Sequence, residues 1–382
     1  MSEEDRGHLP YRGKPVDRSR KQLCLVTGAS GFIGGHLARR LATDGHRVRC
    51  LVRASSDTSQ LDGLDVELAT GDLTSPSSLA QAVEGCSYVF HCGAIVSDWA
   101  TTQEIKSANI AGTRNLLEAS VAASVERFIH FSTTDVYSHP QVDSQPRVDG
   151  RRQGAETDSR RQAAPIEESY TTRRFGNWYA QTKRDAEAEV LRAHNEHALD
   201  AVILRPATVY GPGSRDVVGE IARAIRSRKM LLIDGGRAVA GLCYVDNLID
   251  AAVLARDHAA APGNAFNVSD GLDVTWREFT TDLAEGLDCA KPRWSMPYWL
   301  ASGVGFSLET GYRALRRATG LSTAALLSRQ AVQVLGRNQR FSNSRARELL
   351  GWEPQVGYEA GLQATLAWLR DDYLRSDHLA SA

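Results

Sequence analysis

Between Leu23 and Leu41 an apolar run, a glycine-rich turn and an amphipathic stretch follow one another without a break, and this order limits the fold more tightly than any other feature of the chain. Leu23 to Val26 reads as a buried strand, TGASGFIG spans Thr27 to Gly34, and the apolar residues of Phe32 to Leu41 recur at helical spacing. Glycines at 28, 31 and 34 let the backbone turn tightly, approach a pyrophosphate and bring the helix onto the sheet. The helix start contributes free N–H groups and positive dipole. Three glycines near a helix start also occur in ordinary turns, so the motif needs support from elsewhere in the chain.

That support begins with the pattern downstream. Short apolar runs at Val48 to Val52, Val66 to Ala69, Tyr88 to His91, Phe128 to Phe131 and Val202 to Leu204 alternate with amphipathic stretches. The alternation predicts a parallel sheet with helices on both faces, and in such folds ligands gather at the carboxyl ends of the strands. Beyond Arg205 the pattern is less regular, with Pro and Gly turns at Pro212, Pro262, Pro292 and Pro297.

Tyr179 and Lys183, in NWYAQTK, are four residues apart and share one face of a helix. A phenol ionises near pH 10, and a nearby ammonium favours the phenolate, which makes Tyr179 a candidate general acid or base. The competing reading is a solvated helix face, because Arg184, Asp185, Glu187 and Glu189 follow directly.

With GDL at Gly71 to Leu73, HCGA at His91 to Ala94, ANIAGT at Ala108 to Thr113, STTDVY at Ser132 to Tyr137, RPATVYGPG at Arg205 to Gly213 and YVDNL at Tyr244 to Leu248, the chain resembles the extended short-chain dehydrogenase/reductase family from about Leu23 to near Leu369. LVRASSD, FGNWYAQTK and QRFSNSRARELLGWEPQV resemble its 3β-hydroxysteroid dehydrogenase-like branch. The resemblance implies an α/β, Rossmann-type doubly wound parallel sheet over residues 21–205 and a smaller mixed C-terminal substrate lobe over 206–382, with some segments returning to the sheet.

By the same resemblance, Thr133 bonds the reacting oxygen, Tyr179 moves the proton, and Lys183 bonds the nicotinamide ribose while lowering the tyrosine pKa. Asn109 resembles an asparagine that helps hold the active-site backbone, and Asp72 one that contacts adenine. The expected dinucleotide cradle is Gly28, Ser30, Gly31, Phe32, Ile33, Gly34, Arg53, Asp72, Leu73, Cys92, Gly93, Ala94, Asn109, Tyr179, Lys183 and Pro206, with no metal. The hydride belongs to NAD(P), and the protein supplies orientation and electrostatics.

Cofactor choice turns on the end of the second strand. NAD enzymes commonly place an acidic residue there for the ribose 2′-hydroxyl, and an arginine accommodates a 2′-phosphate. This chain has Val52 and Arg53, and its first carboxylate is Asp57, which favours NADP(H).

Two departures bear on the substrate. Members acting on nucleotide-linked sugars commonly show asparagine where Thr208 stands and a diphosphate-pairing arginine where Ala240 stands, although Arg237 and Arg215 lie nearby. The expected reaction interconverts a secondary alcohol and a ketone on a moderately apolar, steroid- or polyketide-like substrate. A nucleotide-sugar epimerase is the alternative, and dehydration with Asp135 as base ranks behind it. Trp294, Met296, Pro297, Tyr298, Trp299, Leu300, Val304 and Phe306 read as core, or as an apolar enclosure for substrate or a membrane-resting face. Asp98 and Trp99 fall where the family's cavity opens, and His91 reads as a strand end that packs.

A formal net charge of -1 gives no general attraction to nucleic acid. Six cysteines without metal-ligand spacing predict free thiols in a reducing cytoplasm. Residues 1–20 are polar and charged and read as a mobile tail; no stretch is long and apolar enough to span a bilayer. Residues 139–177 form a long arginine-rich insertion, a solvated flexible loop in preference to a substrate lid. Relatives commonly pair through helices beside the active site, which implies a homodimer.

Overall fold

The computed structural model describes residues 22–96, 100–138, 164–171, 178–305 and 329–374. The N-terminal tail, Asp98, Trp99, Phe306 and most of the 139–177 insertion lie outside the described residues.

Seven strands form one sheet: β1 (Leu23–Thr27), β2 (Arg47–Val52), β3 (Glu67–Thr70), β4 (Tyr88–His91), β5 (Arg127–Phe131), β6 (Asp200–Pro206) and β10 (Ala265–Val268). Their order is β3-β2-β1-β4-β5-β6-β10, and every pairing is parallel. The sheet is doubly wound, because the chain runs outward from β1 through β2 and β3, then crosses back to β4 and runs outward the other way. This reversal leaves a crevice between the carboxyl ends of β1 and β4, where dinucleotides bind in such sheets. Thr27 sits opposite His91 in that register.

Strand periodicity sends alternate side chains to opposite faces. Cys24, Val26, Cys50, Phe90, Ile129, Phe131, Val202 and Leu204 enter one buried cluster, while Leu25, Leu51, Val89, Phe128 and Ile203 enter another. The near-continuous apolar strands of the sequence are therefore those of a sheet covered on both sides. Helices α1 (Phe32–Thr43) and α7 (Val245–Asp257) lie against each other and are joined by Arg40 to Asp250 and by His36 to Asp246. On the opposite face α4 (Gly112–Ala122) packs between α2 (Pro76–Val83) and α5 (Trp178–His197).

After β6 the chain adds two short parallel pairs, β7 (Thr208–Tyr210) with β9 (Leu242–Tyr244), and β8 (Leu231–Ile233) with β11 (Trp294–Met296). Strand β10 lies beside β6, with Val268 opposite Pro206. The third strand runs Glu67–Thr70 where the apolar pattern predicted Val66 to Ala69. Among the described residues no helix is long and apolar enough to cross a membrane.

Candidate active site

The turn after β1 is packed closely against the neighbouring backbone. Gly28 has φ of +70°, and a Cβ there would stand 2.8 Å from the Gly93 backbone nitrogen. A Cβ on Gly34 would collide with the Gly28 carbonyl oxygen. Both glycines are thus required by the close approach of α1 to β1 and of the turn to the end of β4. Gly31 caps α1 without any side-chain hydrogen bond to the first turn. The helix dipole and its N-terminal amides therefore face the crevice, a setting that fits a pyrophosphate. Ser30 lies in this turn, and Phe32 and Ile33 begin the helix, packed on the core.

Across the crevice, His91 is buried with both ring nitrogens engaged, Nδ1 to Thr27 Oγ1 at 2.8 Å and Nε2 to Thr113 Oγ1 at 2.9 Å. Burial first, then the Lys183 charge, push its pKa down to about 3, so it is a neutral packing residue. The Thr27 hydroxyl also accepts from the Gly93 amide at 3.2 Å, which fixes the Cys92, Gly93 and Ala94 backbone. Burial pushes the Cys92 thiol upward.

Asn109, buried in a π-type turn, accepts from the Ile95 amide at 2.8 Å and donates to the Ile95 carbonyl at 3.1 Å and to Thr182 Oγ1 at 3.3 Å. One side chain thereby ties the segment after β4 to the catalytic helix. Leu73 lies under Gly93. Asp72 accepts from the amide and hydroxyl of Thr74, at 2.8 and 2.6 Å, and those bonds hold its pKa low. At the end of β2, Arg53 is exposed, whereas Asp57 accepts from the Ser59 amide at 3.0 Å.

The carboxyl end of β5 and the first turns of α5 bring together the residues expected to move the proton. Tyr179 is buried, and the Thr133 hydroxyl acts to lower its phenol pKa against that burial. Lys183, one turn on, sends its ammonium to the Phe131 carbonyl at 2.6 Å and lies 3.5 Å from His130 Nε2. The structure thus gathers Thr133, Tyr179 and Lys183 at the carboxyl end of β5, with Pro206 closing β6 alongside.

The expected acidification of Tyr179 by Lys183 is corrected here. Burial raises the phenol pKa, the Asp135 carboxylate raises it further, and the Thr133 hydroxyl offsets only part. Lys183 is itself lowered to about 8 by burial, opposed by Glu187 and Cys92. A helical i, i+4 spacing puts two side chains on one face; it does not set how much water either retains.

Several partners escaped the sequence reading. Gln330, on the helix Arg329–Gly336, donates through Nε2 to Asp135 Oδ2 at 3.0 Å across 195 residues of chain. Arg205 grips Glu187 with two hydrogen bonds, Nε to Oε1 at 2.8 Å and Nη2 to Oε2 at 2.7 Å. It also donates to Tyr137 Oη at 2.8 Å, and Tyr137 in turn donates to Asn267 Oδ1 at 2.6 Å. Thr182, Tyr137 and Arg205 had a signal, as members of the YAQTK, STTDVY and RPATVYGPG motifs.

Ala240 is fully buried, Thr208 donates to Gln339 at 3.2 Å, and Arg237 is exposed. The stretch from Trp294 divides where the sequence suggested one role. Met296 and Tyr298 pack with Ile233, Ala301 and Val332, while Trp294 and Trp299 are 69% and 74% exposed and are not core.

The family model described as the NAD dependent epimerase/dehydratase family matches residues 24–269. A 4-hydroxy-2-methyl-3-oxo-4-farnesyl-3,4-dihydroquinoline-1-oxide ketoreductase of Stigmatella aurantiaca is 30% identical over 89% of this chain and 94% of its own length. A 2-alkyl-3-oxoalkanoate reductase of Stenotrophomonas maltophilia is 31% identical over 89% of this chain and 97% of its own. A 3-beta-hydroxysteroid dehydrogenase of Mycolicibacterium neoaurum is 28% identical over 94% of both chains.

Proposed function

Since the chain belongs to the NAD-dependent epimerase/dehydratase family, we propose that it is a reductase that converts a ketone on a moderately apolar small molecule to a secondary alcohol, with NADP(H) favoured over NAD. The observation that carries this reading is the buried Tyr179 phenol, with Lys183 one turn on reaching the Phe131 carbonyl at 2.6 Å at the carboxyl end of β5. Bound dinucleotide would supply the hydride to the carbonyl carbon. Thr133 and Tyr179 would hold the carbonyl oxygen, and Tyr179 would deliver its proton there.

Burial and Asp135 raise the phenol pKa, so at neutral pH the side chain is protonated and can donate to a carbonyl oxygen. Residues 21–205 would hold the dinucleotide and 206–382 the substrate. Gly28, Ser30, Gly31, Phe32, Ile33 and Gly34 would face the pyrophosphate, and Lys183 the nicotinamide ribose.

NADP(H) is favoured because Arg53 is exposed at the end of β2 and the first carboxylate beyond it, Asp57, is committed to its own turn. Six free cysteines suit a reducing cytoplasm, and a homodimer is the assembly expected from the family resemblance. The epimerase alternative is disfavoured by Ala240, whose buried methyl stands where a diphosphate-pairing arginine would be needed.

Stoichiometric turnover distinguishes the readings. One NADPH oxidised per ketone consumed is expected, with kcat/KM for NADPH above that for NADH. Cofactor that stays bound while a nucleotide sugar is epimerised without net oxidation would overturn the proposal.

A further inference from the structure

Loop 211–213, after β7, is wedged between the first residues of α1 and α7. A Cβ on Gly213 would stand 3.3 Å from the Phe32 ring, and one on Gly211 would stand 2.7 Å from Val245 Cγ1. Phe32 opens α1, whose N-terminal amides face the crevice, so the loop lies at the end of the cleft that suits a pyrophosphate. His36, one turn into the helix, meets the Phe32 ring edge-on with centroids 5.6 Å apart. Its Nε2 lies 2.9 Å from the Pro212 carbonyl oxygen and its Nδ1 lies 3.2 Å from Asp246 Oδ1. One imidazole thus joins the loop, α1 and α7.

Neither partner can donate a hydrogen. A carbonyl oxygen and an ionised carboxylate only accept, so both ring nitrogens must carry hydrogen while the two bonds coexist. A neutral imidazole has a single N–H and must give up one of them. Histidine ordinarily changes charge between about pH 5 and 8, which makes it the side chain suited to such a clasp. Of the charged groups around it, Arg40, on the next turn of α1, is bonded to Asp44 at 2.9 Å and to Asp250 of α7. The loop presents the Pro212 carbonyl, with Arg215 exposed beyond it. At the start of α7, Asp270 accepts from the Tyr244 amide and from Asn247 at 2.8 and 2.9 Å, and burial pushes its pKa up to about 6.

We propose that His36 is a positioning residue for the dinucleotide: as an imidazolium it clasps loop 211–213 and α7 to the start of α1, and loss of one proton opens the clasp and weakens the hold on the dinucleotide. The inference rests on the dinucleotide site of the family and is independent of the choice between reductase and epimerase.

The test measures dinucleotide affinity by tryptophan fluorescence at about pH 5.5 and about pH 8.5, toward either end of the ordinary histidine range, in the full-length parent, Asp246→Asn and His36→Gln. The ligand is NADPH or NADH, whichever the parent binds more tightly. Asp246→Asn supplies an amide that donates to Nδ1, so a neutral His36 keeps both bonds and the clasp no longer depends on pH. Between the two pH values the parent should lose at least about fivefold more affinity than Asp246→Asn, below the full worth of a hydrogen bond to a charged group because His36 is 23% exposed. His36→Gln should show no more pH dependence than Asp246→Asn and should bind more weakly than the parent at the lower pH. Titration of Lys183, of Asp270 and of the ligand's own phosphates is common to all three proteins and cancels in the comparison. An equal loss in parent and Asp246→Asn, at unchanged melting temperatures, overturns the inference; should Asp246→Asn not fold, an equal loss in parent and His36→Gln does so. Either failure leaves the reductase reading standing, whereas a parent that binds neither dinucleotide would overturn both.

Discussion

Two turns of the same helix treat buried charge in opposite ways. At Glu187 the carboxylate is matched by a bidentate guanidinium, and Arg205 is further bonded to Tyr137 and to the Glu168 carbonyl at 3.2 Å. Four residues earlier, Lys183 is equally buried, and among the described residues its hydrogen-bond partners are a backbone carbonyl and an imidazole, with the Glu187 carboxylate acting on it at a distance. Partner interactions raise the Arg205 pKa despite burial, while burial lowers that of Lys183. The matched pair fastens α5 to β6 and, through Tyr137 and Asn267, to β10. The buried ammonium lacks such a partner and is kept at the expense of stability, as expected of an active-site residue.

The largest effect should come from breaking the matched pair. Arg205→Leu removes the bidentate partner of the buried Glu187 and leaves Arg184, at 3.7 Å, as its ion-pair partner among the described residues, and is expected to lose about 3–5 kcal/mol in urea unfolding. A loss under 1 kcal/mol would erase the contrast. Lys183→Met should move the other way. The gap between about 8 and the ordinary 10.5 corresponds to about 3 kcal/mol of penalty on the charged form. The variant should therefore be as stable as the parent or up to that much more stable at pH 7, while ketone reduction falls by about 10²-fold or more.

A pH series sharpens the same point. Lys183 has a folded pKa below its unfolded one, so between about 8 and 10.5 the unfolded chain binds the extra proton and stability rises with pH. Its penalty is complete below that window and gone above it. Comparing urea midpoints of parent and Lys183→Met at pH 7.5 and 9.5 should show the parent gaining on the variant. In the free enzyme, kcat/KM should fall on the alkaline side of about 8 as the ammonium is lost. At the small end, Trp299→Ser, at a side chain 74% exposed, should stay within about 0.5 kcal/mol of the parent.

The glycine turn and the strands were legible because their signals are local. Apolar runs of strand length, bounded by turns, placed β1, β4 and β5 to within one residue at either end. Gly28 and Gly34 announced a close approach that the structure places against Gly93 and the Gly28 carbonyl. The triad of Thr133, Tyr179 and Lys183 was named from motifs. The acidity of its phenol was not legible, because that depends on water excluded by the whole domain and on Asp135. Nor did anything near Gln330 in the sequence point to Asp135. The exposed Trp294 and Trp299 mark the same limit, since apolar composition does not say which side of an element meets the core.

By itself the amino-acid order determined a parallel α/β sheet and a crevice at its reversal, and it named the residues proposed to move the proton. These rest on backbone periodicity and on glycines that no other residue can replace without collision. Tertiary structure alone decided which charges are matched and which way the phenol's acidity is pushed. Those properties are sums over groups far apart in the chain, and electrostatic energy in a dry interior depends on distance and solvent, which a sequence does not record.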